Sequence, residues 1–317
     1  MLVQSRKAAV RLIRPLWLPS LYFASVTVGV EAFYQAWSTS ASVFSLATAG
    51  LVSTSLAIFL GFRVSESYDR WWEARKLWGS LVNVSRSFGR KICTMVVPDR
   101  VDAIADEEDA RRARRELLHR HIAYVNALRI NLRNGPSIAS APEEWEQLRP
   151  FLSNEELREY GRYKNVTTQL LRRQSETLRG IFGATTQEEL GYLELQRTLD
   201  QFYDVQGACE RIKNTVFPYG VTLATKILVW SFATILPFAV LDANMHLDYV
   251  EILFCVAMSL SFVVIEQLGE VLKTPFEGRS NDTPMTALCR TIEIDLRQML
   301  GETDVPPPAQ PEDGVLM

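Results

Sequence analysis

Thr54, Ile58 and Phe62 recur every four residues in a stretch without lysine or arginine, and Glu66 and Asp69 follow on nearly the same stripe. Recurrence at that interval stacks side chains along one slowly turning face of a helix. Repeated around an axis, Ile58 and Phe62 would form apolar rings that pass ions when wetted and block them when dry, because apolar walls cannot replace a hydration shell. A Thr54 ring would ease wetting at one end, and Glu66 and Asp69 would concentrate cations at the other. A second acidic group, Asp242, Asp248 and Glu251, has His246 as its sole basic neighbour and would favour cations at the opposite entrance. The residues leave two plainer readings open: the stripe packs against a neighbouring helix, and the acids pair with Arg63, Arg70 or Arg75.

Catalytic chemistry finds little material. His119, His121 and His246 are the only histidines, and the first two point to different faces of a helix. No Gly-x-Ser-x-Gly elbow, phosphate-cradling glycine loop or His-Glu-x-x-His pair occurs. Cys93, Cys209, Cys255 and Cys289 are far apart with no CxxC spacing, which suits reduced thiols in packed helices rather than a metal site. A net charge of -3, with arginine clusters offset by nearby acids, gives no reason to expect nucleic acid. No cofactor is implied.

The elements that position the stripe are apolar. Between Pro15 and Phe62 the single charged residue is Glu31, and Ser38-Thr39-Ser40-Ala41-Ser42 divides the stretch in two. A crossing needs about 20 apolar residues for a hydrocarbon core of roughly 30 Å, so two spans fit, at about 18–38 and 43–64. The immediate second run argues against a cleaved signal peptide. A second hairpin, at about 216–240 and 248–270, is broken near Leu241 to Asp248 and carries Lys226 low in its first arm. Both turns lack lysine and arginine, whereas the start (Arg6, Lys7, Arg11, Arg14) and the middle of the chain are rich in them. Cationic flanks stay cytoplasmic, so both termini are expected inside.

Residues 65–215 and 271–300 are charged but keep apolar residues at three- and four-residue spacing, predicting a cytosolic helical region. Asp106 to Asp109 before Arg111 to Arg115 suits a solvated helix with acids at its start. Breaks are predicted near Pro98, Gly135, Pro142 and Pro150. Residues 301–317, with Pro306-Pro307-Pro308, are expected to be a disordered tail.

The segment Gly61-Phe62, followed by Arg70-Trp71-Trp72, resembles the signature of the bestrophin family, and Pro218 and Pro275-Phe276 follow in the family's order. The resemblance implies an all-α membrane protein whose residues 1–300 form a single channel unit, assembled as a funnel-shaped homopentamer in a bacterial inner membrane. It places the neck at Thr54, Ile58 and Phe62 and a lower constriction at Leu190. The acidic calcium clasp of animal members has a poor counterpart in Glu277-Gly278-Arg279-Ser280-Asn281-Asp282, so no calcium gating is expected. The expected partners are the lipid bilayer and small monovalent ions. The acids favour sodium and potassium over the alternative, chloride. The rival reading is a membrane-anchored helical adaptor without conductance, for which a polar Thr54 aligned with Ile58 and Phe62 has no use.

Overall fold

The computed structural model describes residues 16–37, 45–183, 185–241, 249–312 and 314–317. The basic start through Arg14, the Ser38-to-Ser42 turn, and Asp242 to Asp248 lie outside the described residues. The described chain is helical: α1 (Trp17–Trp37), α2 (Leu46–Met95), α3 (Glu107–Asn134), α4 (Pro142–Trp145), α5 (Asn154–Tyr160), α6 (Val166–Ile181), α7 (Thr186–Asn214), α8 (Tyr219–Ile235), α9 (Pro237–Val240), α10 (Tyr249–Leu272) and α11 (Met285–Met299). Among the described residues there is no strand, and one isolated bridge joins Glu312 to Val315.

Two compact units emerge, an apolar one from the described part of Leu2–Trp72 with Val216–Pro275, and a polar one from Glu73–Thr215 with Phe276–Met317. Helix α2 contributes to both. The expected second span runs without interruption into the charged segment, making one helix of 50 residues. Its sequence carries no proline, and it stops three residues before Pro98, where the ring would clash with the preceding turn.

In the apolar unit Phe23 of α1, Leu56 and Leu60 of α2, Val229 and Phe232 of α8, and Phe262 and Val263 of α10 form the core. Phe232 and Phe262 meet edge to face at 5.2 Å. Polar groups are satisfied across helices, Tyr34 Oη donating to Phe238 O at 3.0 Å and Ser259 Oγ to Ala233 O at 3.2 Å. Among the described residues three helical stretches are long and apolar enough to cross a membrane: Leu46–Met95, Tyr219–Val240 and Tyr249–Leu272. Helix α1 has 21 residues but carries Glu31 and Gln35, joined by a 2.9 Å hydrogen bond.

The polar unit is built on α3, whose buried face is Leu117, Leu118, Ile122, Val125 and Leu128. The acids at its start cap it: the Asp106 carboxylate accepts the N–H groups of Glu108 and Asp109 at 2.8 and 2.9 Å. It ends at Gly135, whose φ of 103° a side chain would resist. Reciprocal Ser153–Glu156 and Thr185–Glu188 boxes start α5 and α7. Cys209 and Cys289 are buried, and burial pushes their thiols up to about 12 and about 11, so both stay protonated.

His121 lies in this core against Phe202, ring centroids 4.4 Å apart. Ser85 Oγ donates to Leu81 O, so His121 Nε2 is assigned as the donor to Ser85 Oγ at 2.9 Å, leaving Nδ1 buried with no partner. Desolvation lowers its pKa from 6.5 to about 3. The unfolded chain therefore binds a proton that the folded chain refuses. Stability from this site is complete above pH 6.5 and falls as pH drops towards 3, by at most about 1.4 kcal/mol per pH unit. The thermal midpoint should decline over that window, and His121→Gln should flatten the decline.

The tail departs from the expected disorder. Arg297 binds Glu302 at 2.6 Å and Asp304 O at 2.6 Å, and His119 Nε2 meets Glu302 at 2.9 Å. Val315 is buried, and Ala287 N donates to Met317 O at 2.7 Å. The prolines exclude a helix but stiffen an extended segment. The side-chain anchors then hold it.

Candidate ion pathway

The apolar unit splits α2 into two faces. Leu56, Leu60, Arg63 and Ser67 are buried, whereas Thr54, Ile58, Phe62, Glu66 and Asp69 are all exposed, Ile58 by 58% and Phe62 by 68%. Each four-residue step advances about 6 Å and turns about 40°, so the Thr54–Ile58–Phe62 stripe extends about 12 Å along the helix. Exposure also reaches Leu51, Val52 and Phe59. The uncovered apolar surface of α2 is thus broader than one stripe.

Thr54 Oγ1 donates to Gly50 O at 2.8 Å, so its hydroxyl proton is satisfied within the helix. Glu66 and Asp69 make no ion pair or hydrogen bond among the described residues. Arg63 is committed elsewhere. Its guanidinium bridges Glu266 at 3.2 Å and Glu270 at 3.1 Å on α10, and Glu270 also holds Lys273 at 2.6 Å. Arg63 is 2% exposed and Glu266 6%. Sequence reading missed this triad, although Glu266 and Glu270 are four residues apart at the end of an apolar run and Arg63 ends another.

Leu190 belongs to the polar unit, on α7, where it is 64% exposed beside exposed Leu193. Asp242 and Asp248 lie outside the described residues. The loop at the position of the clasp has its carboxylates engaged within the chain: buried Asp282 accepts the Arg279 N–H at 3.0 Å, exposed Glu277 pairs with Lys213 at 2.8 Å, and burial raises the Asp282 pKa. Among the described residues no three His, Cys, Asp or Glu side chains are grouped to hold a metal ion.

An all-helical membrane protein with an uncovered, part-polar face on one apolar helix is the class these features define. The chain belongs to the Bacterial/Fungal Bestrophin protein family, whose model matches residues 3–298. It is similar to the voltage-dependent anion channel-forming protein YneE of Escherichia coli, 32% identical over 281 residues, covering 88% of this chain and 85% of the relative. The voltage-dependent anion channel-forming protein mll4386 of Mesorhizobium japonicum is 29% identical over 300 residues, 94% of this chain and 89% of that one. The crystal structure of a bacterial bestrophin homolog from Klebsiella pneumoniae superposes with a TM-score of 0.76 at 28% identity, covering 90% of this chain and 98% of that chain. Membership of this family, with relatives named as channel-forming, sets the chain among channels and not enzymes. Those names also run against the cation preference expected from the acids.

Proposed function

We propose that the chain forms a homopentameric channel passing small monovalent ions passively across a bacterial inner membrane. The observation that carries this reading is the uncovered Thr54–Ile58–Phe62 face of α2, opposite a face buried in its own unit. Around an axis that face makes an uncharged neck, where passage depends on wetting. In this reading α1, α2, α8 with α9, and α10 are four spans, both termini are cytoplasmic, residues 1–300 act as one channel unit, and Leu190 forms the lower constriction. Asp242 and Asp248 border the outer mouth.

Chloride and other small anions are the ions first proposed, on the strength of the names of relatives that cover most of the chain. An uncharged neck does not oppose this, since it exacts dehydration from either sign. A second reading, sodium and potassium, is favoured by Glu66 and Asp69 just past Phe62, which are unpaired among the described residues. The test is the reversal potential of the purified protein in a planar bilayer under a KCl gradient, against protein-free vesicles. The first reading expects reversal towards the chloride equilibrium potential. Reversal towards the potassium potential, reduced by Glu66→Gln with Asp69→Asn, would establish the second. No current above the control would leave the adaptor.

A further inference from the structure

A cavity of about 400 Å³ opens between the start of α8 and the end of α10, lined by Tyr219, Thr222, Lys226, Trp230, Glu270 and Lys273 among others. Lys226 stands two turns inside an apolar helix, exposed, and forms no ion pair or hydrogen bond among the described residues. A charge at such depth is costly unless matched. The acids beside it are already engaged, Glu266 and Glu270 by Arg63 and Glu270 also by Lys273. Two carboxylates therefore face three cations, and the surplus positive charge is that of Lys226.

Thr222 adds a donor. Thr225 gives its hydroxyl proton to Val221 O at 2.7 Å, as helical threonines do, whereas Thr222, a residue of the cavity lining, has its Oγ1 buried with no partner among the described residues. Tyr219, at the start of α8, brings an amphipathic ring suited to the headgroup level, whereas Leu223 and Trp230, the latter packed on Phe23, bring an apolar wall. A cation, an unpartnered hydroxyl, an interfacial tyrosine and an apolar wall together match one amphiphile.

We propose that this cavity binds the phosphate of an anionic phospholipid, with Lys226 and Thr222 on the phosphate and the Leu223–Trp230 side against the glycerol and acyl start. Basic pockets between membrane helices bind such headgroups. The site rests on the span reading of α8 and α10, and its readout, lipid binding, is separate from conductance.

The experiment is native mass spectrometry of the full-length protein in detergent, with phosphatidylglycerol and phosphatidylcholine added in equal amounts. The unmodified chain should retain phosphatidylglycerol preferentially. Lys226→Gln should weaken that retention by about fivefold, the effect of one lysine near an anionic headgroup, and Lys226→Arg should keep it. Equal retention of both lipids by the unmodified chain would overturn the proposal, even if Lys226→Gln failed to fold. So would unchanged preference in a folded Lys226→Gln. Displacement of the lipid by equimolar inorganic phosphate would identify a free-anion site instead, and dissociation of the oligomer by Lys226→Gln with lipid preference intact would assign the lysine to a neighbouring subunit.

Discussion

Arg63→Ala is expected to yield little or no folded protein in detergent. The substitution leaves Glu266, 6% exposed, without its counter-charge and opens a void between α2 and α10. Breaking a buried pair from one side costs about 3–5 kcal/mol, a large part of the roughly 5–15 kcal/mol that holds a domain together. The Arg63–Glu270 contact contributes less, because Glu270 is 42% exposed and water screens it. The same logic predicts a rescue: Arg63→Met combined with Glu266→Met removes both charges and restores packing, so it should recover much of the thermal midpoint lost in either single variant. Size-exclusion recovery and thermal unfolding read the result. A parent-like midpoint for Arg63→Ala would show that the triad is dispensable.

Ile58→Ala should do the opposite, changing current several-fold upward while leaving stability nearly untouched. Ile58 is 58% exposed within its unit, so truncation removes little buried area there, and such surface changes usually stay within about 0.5 kcal/mol. In a ring, however, each truncated side chain widens the same constriction and lowers the cost of wetting it. The channel should open more readily and close less. Unchanged current with intact assembly would remove Ile58 from the neck.

What the sequence discloses and what it hides separate along physical lines. The absence of lysine and arginine from Pro15 to Phe62 exposes a hairpin to inspection, and the four-residue recurrence of Thr54, Ile58 and Phe62 reports a helical face directly. Both are local signals. Arg63 and Glu266 are 203 residues apart, and no periodicity links them. Local reading therefore treats Arg63 as a membrane flank and offers it Glu66 and Asp69 as partners, whereas the fold presents two acids on α10 and pairs Glu66 and Asp69 with none of the described residues. The tail misleads for a similar reason: its prolines are visible, but its anchors, His119 and Arg297, come from α3 and α11. The continuity of α2 through the charged segment was legible in principle, since nothing between Leu46 and Met95 breaks a helix, but the change in polarity reads as a boundary.

The central claim is that the exposed face of α2 lines an ion pathway, and thiol block at its midpoint addresses it most directly. The native thiols provide a quiet background: Cys209, Cys255 and Cys289 are buried, and burial raises the half-buried Cys93 thiol. Single-channel current through Ile58→Cys should be abolished by a charged methanethiosulfonate reagent, while the parent channel is unaffected. Current that persists after mass spectrometry shows residue 58 fully modified would contradict the account and place the stripe outside the pore.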